Sequence, residues 1–348
     1  MRGKSPRPAR EEPDARSQLR ARGVTIALLA PTVMGLLFGA FFLYAQWRIT
    51  APGPATDTVI VWLPPGTGTG GIARELTLRG AVSGRWMFRI AALLSGERQH
   101  LKAGEYAVPA RASMADILTM LRDGRVIEHK ITLPEGLSSA QAMAIVASDT
   151  TLTGPPPPMP AEGALLPETY AFVRGVTRAQ LVARMEASAR ALMAAQWADR
   201  AADIVVETPQ QALVLASMVE KETGVDSERA RVAAVFMNRL RLGMKLQSDP
   251  TTIYAITRGR RPLGRELTRK DLALASPYNT YVAPALPPAP ICNPGKASIE
   301  AVMHPARTKE LYFVADGTGG HAFSETLDGH NQNVSAWRAQ KKSRTTRP

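Results

Sequence analysis

The longest apolar stretch of the chain, Val24–Ala45, contains no charged residue over about 22 positions. As an α-helix it would extend about 33 Å, which is enough to cross the hydrocarbon core of a bilayer. Tyr44 and Trp47 lie at its end, where membrane helices often carry aromatic residues. A secretory signal peptide is the competing interpretation, but this run is long for one and no clear small-residue cleavage site follows. The pattern therefore predicts a single transmembrane helix.

The charges on either side of this helix predict its orientation. Residues 1–23 form a polar, basic segment that we expect to be a disordered cytoplasmic tail, with the rest of the chain exported after a short linker at 46–57. The net charge of +13 suggests an anionic neighbour such as a membrane surface or an acidic polymer. Export argues against nucleic acid as a partner.

After the linker, strand-like and helical patterns indicate two exported regions. Residues 58–125 predict a small α+β module with two strands and three helices. The strands are expected at Thr58–Leu63 and Ala103–Val108, and the helices at Ile72–Arg79, Arg85–Leu94 and Met114–Arg122. Residues 126–337 predict a larger mixed α/β domain, and 338–348 a basic, disordered tail. The overall fold class is α+β.

One segment of the larger domain, Thr208–Gly224, predicts a helix with both ends marked. Thr208 is a good N-cap, and Gln211 stands where it can complete a capping box. Gly224 is typical of a helix stop. Between these ends, Ala212–Val219 is apolar or small on every side, which predicts a helix buried within a core.

Carboxylates stand in the last turn of this helix. Glu220 shares a face with Leu213 and other apolar residues. Apolar neighbours and the negative end of the helix dipole both predict a raised pKa, which suits a general acid. Glu222 lies roughly 200° around the helix, so the two carboxylates cannot share one cleft. Lys221 can lower either pKa, and exposure of all three charged residues to solvent is an equally good interpretation of the sequence.

A polar run follows at Leu246–Tyr254, LQSDPTTIY. Such a run would be wasteful in a core strand and is typical of a hydrogen-bonding rim for a polar ligand. A plain Asp-Pro helix start explains the same residues equally well. A long proline-rich segment, Ser276–Lys296, contains tyrosines and asparagines suited to sugar or peptide contacts.

The sequence argues against several other chemistries. His321 and His330 are nine positions apart and no HExxH motif is present, so a zinc site is not expected. Cys292 is the one cysteine, which rules out an intrachain disulfide. No nucleophile motif of the G-x-S-x-G kind occurs. We expect neither a metal nor a cofactor.

Several motifs together resemble the endolytic murein transglycosylase family (MltG or YceG-like proteins). They are LASMVEKET at Leu215–Thr223, the segment Ala233–Ala255, SPYNTY at Ser276–Tyr281, LPPAPICNPG at Leu286–Gly295 and the GGHAFSET close. The resemblance runs from the apolar helix to about Trp337. It implies a membrane anchor, a LysM-like module at 58–125, and a catalytic domain in the periplasm, anchored in the inner membrane.

The family resemblance also implies a reaction. Nascent peptidoglycan strands would be cut at the MurNAc–GlcNAc β-1,4 bond to give 1,6-anhydro-MurNAc ends, which would terminate strand elongation. The family's essential glutamate corresponds to Glu220, and peptidoglycan synthases become candidate partners. The expected substrate contacts are Gln247, Ser248, Asp249, Asn238, Tyr254 and Asn293.

Two other functions remain open at this stage. A hydrolytic muramidase would need a second carboxylate to activate water, and Asp249 and Glu168 are the candidates the sequence offers. A non-catalytic, peptidoglycan-binding scaffold would use the basic body of the protein and would not need Glu220.

Overall fold

The computed structural model describes residues 15–97 and 100–345. The chain divides into two compact units, and the boundary along the sequence lies between Ile127 and Glu128. Each unit has its own core. Residues 1–14 and 346–348, which belong to the two predicted tails, lie outside the described residues. The architecture is mixed α/β, with small two-stranded ladders among many helices.

The N-terminal unit begins with a long helix, α1 (Ala15–Thr50). Its part from Pro31 to Thr50 is long and apolar enough to cross a membrane. The helix starts earlier and ends later than the sequence pattern predicts, because the basic residues before it and the residues of the expected linker continue the same helix. Ala45 and Ile49, in its last turns, are buried within this unit.

The remainder of this unit is a strand–helix–helix–strand–helix module. Its elements are β1 (Val59–Leu63), α2 (Thr69–Leu78), α3 (Arg85–Leu94), β2 (Gly104–Val108) and α4 (Met114–Asp123). β1 and β2 pair antiparallel, with Val61 opposite Tyr106. Helix α4 is closed at both ends, by a Ser113 capping box and by Gly124 in the left-handed conformation. The order of elements therefore agrees with the sequence pattern.

The C-terminal unit begins with an antiparallel ladder and two helices that enclose a core of their own. These elements are β3 (Glu128–Thr132), α5 (Ser139–Ser148), β4 (Thr169–Val173) and α6 (Arg178–Ala198). The pairing of Ile131 with Tyr170 places both side chains in this core. The sequence pattern did not predict β4, because its outward-facing Ala171 and Val173 are apolar like the buried Tyr170 and Phe172, so no apolar–polar alternation is visible.

A second core of this unit forms around α7 (Pro209–Glu222), which packs against α6, α8 (Arg229–Arg241), α9 (Asp249–Thr257) and α11 (Lys296–Met303). A single 3₁₀ turn precedes α8. A short helix, α10 (Arg269–Leu272), precedes the proline-rich segment Ser276–Lys296. The polar run after α8 therefore contains the Asp-Pro helix start that the sequence left open. Its side chains nevertheless make specific contacts, described below.

The chain ends in a hairpin and a helix: β5 (Tyr312–Ala315), β6 (His321–Ser324) and α12 (Leu327–Thr345). The prediction of disorder from 338 onward differs from the structure, in which the helix continues to Thr345. Its sequence lacks an apolar stripe, and the helix instead packs on the β5–β6 hairpin. A stack of His330 on Tyr312, with ring centroids 5.2 Å apart, is part of that packing.

Candidate functional site

Helix α7 is buried along its middle. Thr208 accepts a hydrogen bond from the Gln211 amide, and seven of the eight residues from Ala212 to Val219 are buried. Gln211 itself accepts from the amide of Glu207 rather than that of Thr208, so the expected capping box is displaced by one residue. The helix ends because Thr223 adopts an extended conformation, and not through a left-handed Gly224.

The carboxylate of Glu220 is held at the N-terminus of another helix. Its Oε2 accepts a hydrogen bond from the backbone amide of Gly295 at 3.0 Å and one from the Ser298 hydroxyl at 2.7 Å. Gly295 is the N-cap of α11, so Glu220 also faces the positive end of that helix dipole. The surroundings of Glu220 are therefore polar, unlike the apolar environment expected from its own helix. No hydrogen bond to its Oε1 is found within 15–97 and 100–345.

The segment that carries Gly295 is pinned to α7 by a buried serine. Ser217 Oγ accepts from the amide of Ile291 at 3.0 Å, and the Ser217 carbonyl accepts from the Cys292 thiol at 3.3 Å. Burial raises the pKa of that thiol well above its usual range. Cys292 is therefore a neutral packing residue that fixes the approach of the segment to the helix.

Asn293 continues this attachment to a different part of the chain. Its side-chain amide donates to the Leu137 carbonyl at 3.0 Å, and its Oδ1 accepts from the Leu165 amide at 3.0 Å. The residue is 2% exposed. The expectation that Asn293 contacts substrate is thus corrected, because its polar atoms are already used in joining three segments of the fold.

A second carboxylate, Glu135, lies beside Glu220. The turn that carries it is tied down by a hydrogen bond from the Gly136 amide to the Asn293 carbonyl at 3.0 Å. A Cβ on Gly295 would overlap the Glu135 carboxylate, which therefore lies against the same N-cap that binds Glu220. Burial and the neighbouring Glu220 raise the pKa of Glu135, and Arg229 opposes them. Sequence reasoning missed Glu135, although a Pro-Glu-Gly turn joining two elements was a visible signal.

Glu222 occupies the other side of the helix end. It accepts a hydrogen bond from the hydroxyl of Ser248, which is itself buried. Burial raises the pKa of Glu222 to about 7, with a further rise from Asp249 and opposition from Ser248 and Arg239. The two carboxylates do point into different surroundings, as their angular separation predicts.

The predicted polar rim surrounds Glu222 and not Glu220. Asp249 accepts a hydrogen bond from the Tyr281 hydroxyl at 2.6 Å, and the Ser248 amide donates to Thr280 at 2.9 Å. Gln247 has a positive φ of 54° and accepts from Arg239 at 3.2 Å. These side chains join the start of α9 to the proline-rich segment Ser276–Lys296. The structure therefore brings Gln247, Ser248 and Asp249 together, in a set of contacts apart from those of Glu220.

The two remaining candidates are separated from each other. Asn238 donates to the carbonyls of Thr308 and Glu310, at 2.8 and 3.0 Å, and so fixes a distant loop. Tyr254 is 9% exposed, and its ring lies 5.0 Å from that of Tyr278. Tyr254 also lines a groove, described next, and burial raises its pKa to about 12.

This groove has a volume of about 440 Å³ and begins next to Glu220. Gly136 and Lys221 both line it, and a Cβ built on Gly136 would lie 3.6 Å from Cγ of Glu220. A larger cavity of about 580 Å³, with mainly apolar walls, lies between α6 and α7. Glu220 lines neither space, but the groove adjoins it through Gly136. The groove is therefore the better candidate for a substrate site.

This arrangement is suited to proton transfer. One oxygen of Glu220 is fixed by two donors, which orients the carboxyl group, and the other is available to a ligand. A carboxyl group oriented in this way can give a proton to a leaving oxygen and take one from an attacking hydroxyl.

The chain is similar to proteins of a known family. Residues 61–336 match the model of the YceG-like family. The chain is 28% identical over 330 residues to the endolytic murein transglycosylase of Bacillus subtilis, covering 85% of this chain and 90% of that protein. It is 27% identical to the endolytic murein transglycosylase of Streptococcus pneumoniae, covering 79% of this chain but only 58% of that longer protein.

A solved structure is also similar. The 2.6 Å crystal structure of a YceG-like protein from Listeria monocytogenes is 27% identical to this chain. It covers 79% of this chain and 98% of its own, with a TM-score of 0.48.

Proposed function

The chain belongs to the YceG-like family, and from that premise we propose that it is an endolytic murein transglycosylase with Glu220 as its catalytic acid and base. The observation that carries the proposal is the orientation of Glu220 by Gly295 and Ser298 at the end of a buried helix. The relatives from Bacillus subtilis and Streptococcus pneumoniae are endolytic murein transglycosylases, and the match to the Bacillus subtilis protein extends over most of both chains.

The reaction follows from a single oriented carboxyl group. Protonated Glu220 gives its proton to the glycosidic oxygen between MurNAc and GlcNAc while the bond from C1 to that oxygen breaks. The 6-hydroxyl oxygen of the MurNAc then attacks C1, and the Glu220 carboxylate accepts the hydroxyl proton. Water is not consumed, the acid is restored, and the MurNAc end becomes a 1,6-anhydro sugar. The N-acetyl group of MurNAc can stabilise the intermediate.

The proposed place of action is the outer face of the cytoplasmic (inner) membrane. Helix α1 would anchor the protein with its basic N-terminus in the cytoplasm, since positive charges are retained on that side. The module at 58–125 would be LysM-like and the region 126–337 catalytic. Peptidoglycan synthases are the partners expected for an enzyme that cuts strands as they are made.

A second candidate function is favoured by Glu135. Two carboxyl groups beside one glycosidic bond are what a hydrolytic muramidase uses, one as acid and one to activate water. Asp249 and Glu168 are replaced as candidates for that second carboxylate, since Asp249 belongs to the contacts around Glu222 and Glu168 lies at the edge of the β3–β4 ladder. A hydrolase would leave a reducing MurNAc end in place of the anhydro end.

The test is digestion of purified, uncrosslinked glycan strands by the full-length protein in detergent, with the products read by mass spectrometry. We expect anhydro ends from the wild type and no cleavage by Glu220→Gln. Ends that carry an added water, lost in Glu135→Gln, would establish the hydrolase instead. Strands that are bound but never cut by the wild type would overturn both enzymes in favour of a scaffold.

A further inference from the structure

We propose that the groove beside Glu220 binds a free carboxylate of the peptide carried by the glycan strand, so that peptide-bearing strands are the preferred substrate. This inference rests on the proposed function and specifies its substrate. In murein, the peptide is attached to the muramic acid residue, which is also the sugar whose C1 is attacked. A pocket next to the catalytic acid therefore lies where that peptide has to pass.

The groove is lined by residues from several parts of the C-terminal unit. Pro250, Ile253 and Tyr254 come from α9, Ile291 from the pinned segment, and Arg261–Arg265 from the loop after α9. Apolar side chains form much of the wall, as is usual for a ligand pocket. Its entrance beside Gly136 is the part closest to Glu220.

The charges of the lining all have one sign. Lys221, Arg261 and Arg265 line the groove, and no aspartate or glutamate does so in the described part of the chain. An acidic ligand would therefore meet favourable charges along this wall. A strand whose peptide carboxylates are converted to amides would gain nothing from them.

The three cations differ in how far they are already occupied. Arg265 is held by both carboxylate oxygens of Asp271, one of them at 3.0 Å, and also donates to the Glu266 carbonyl. Among the residues that the structure describes, Lys221 donates to one acceptor, the backbone carbonyl of Gly136, at 3.3 Å. Arg261 makes no hydrogen bond or ion pair with any other described residue. Arg261 is therefore the cation best able to receive a carboxylate, in a two-pronged contact.

The loop that carries Arg261 is fixed in position. Its carbonyl at Gly259 accepts from Ser138 Oγ at 2.7 Å, across 121 residues of sequence. The guanidinium of Arg258 lies 4.7 Å from the centre of the Tyr278 ring. A cation presented on a pre-ordered loop binds its partner with a smaller entropic cost than one on a mobile loop.

The experiment compares three substrates with the full-length protein: strands with intact peptides, strands stripped of peptides by an amidase, and strands whose peptide carboxylates are converted to amides. We expect kcat/KM to be highest for the intact strands. Arg261→Gln should reduce the preference for intact over amidated strands about tenfold, mainly through KM. Arg260→Gln is the matched control, because the neighbouring arginine does not line the groove, and it should leave the preference unchanged.

Equal cleavage of intact and amidated strands, or equal effects of the two arginine variants, would overturn the proposal. A further outcome also contradicts the proposal. If kcat/KM falls when the peptides are removed but not when their carboxylates are amidated, the peptide is recognised without its charge. If the wild type cuts none of the strands, the proposed reaction fails separately. Binding then decides the inference: Glu220→Gln should bind intact strands about tenfold more tightly than the double variant with Arg261→Gln.

Discussion

Glu220 and Glu222 are two residues apart on one helix end, yet their surroundings differ in kind. Glu220 is held by a backbone amide and a hydroxyl and adjoins a groove. Glu222 is enclosed with Ser248, and burial raises its pKa to about 7. The comparison shows that the segments packed against a helix end, rather than the helix itself, decide which carboxylate is oriented by two donors beside a groove and which is half-buried against Ser248.

The sharpest test of this comparison replaces each carboxylate by its amide. Glu220→Gln should reduce kcat by at least about 10³-fold, because the group that transfers the proton is lost. Glu222→Gln should retain activity within about tenfold, since its contacts are with Ser248 and not with the groove. Strand-cleavage rates of the two purified proteins, with circular dichroism as a check of folding, measure the difference. Equal losses would show that the two faces act as one site.

The free energy of unfolding, measured at a series of pH values, distinguishes the Glu222 side of the helix end from the Glu220 side. The pKa of Glu222 is raised in the folded protein, so its protonated form favours folding below its ordinary pKa near 4.5. That contribution is lost as the pH rises through about 7. Between these limits, the free energy of unfolding of the wild type should fall by on the order of 2 to 3 kcal/mol more than that of Glu222→Gln. The groups facing Glu222 are Ser248, Asp249, Arg239 and Tyr281.

Chemical denaturation at several pH values measures this difference. If the free energy of unfolding varies with pH in the same way for the wild type and Glu222→Gln, the raised pKa does not belong to Glu222. Asp271→Asn serves as a control, because that carboxylate is bound to Arg265 and has a lowered pKa. Its stability contribution has the opposite sign of pH dependence, being lost as the pH falls.

Removing one donor from Glu220 should have a moderate effect. Ser298→Ala deletes the hydroxyl that bonds to Oε2, and the remaining Gly295 amide orients the carboxyl group less well. We expect kcat to fall about tenfold with KM nearly unchanged. Ser148→Ala is a matched control, since that hydroxyl bonds only to the Ile145 carbonyl at the end of α5. If kcat falls by the same factor in both variants, the cause is a general loss of stability and not the lost hydrogen bond to Glu220.

The smallest effect is expected on the Glu222 side. Tyr281→Phe deletes the hydroxyl that donates to the exposed Asp249. The free energy of unfolding should change by less than about 1 kcal/mol, and the cleavage rate by less than about threefold. A hundredfold loss of activity would break the comparison, because it would place the Asp249 contacts in the reaction.

Local sequence patterns predicted much of the fold. The cap at Thr208 and the apolar run between Ala212 and Val219 predicted the right helix, because these signals act within a few residues. The pattern failed where partners are distant. β4 needs the pairing of Tyr170 with Ile131, and α12 is stabilised by packing on a hairpin.

The candidate site was predicted only in part for the same reason. Family motifs indicated Glu220, but its donors come from another segment, and no local pattern indicates that Ser298 reaches it. Asn293 was a reasonable substrate contact as an asparagine in an irregular loop. Its buried contacts with Leu137 and Leu165 depend on residues more than a hundred positions away. Glu135 was overlooked because a charged residue in a turn is usually a solvated one.

The attachment of Ile291 and Cys292 to Ser217 has a consequence for the order of events during folding. Glu220 and its two donors are separated by 75 and 78 residues, so the hydrogen bonds that orient the acid close a long loop. Such loops close after local helices have formed. A chain folded only as far as α9 already contains Glu220 but neither of its donors. We therefore expect the carboxylate of Glu220, the proposed acid, to become oriented only when the chain from Gly295 to Ser298 docks, late in the formation of the domain.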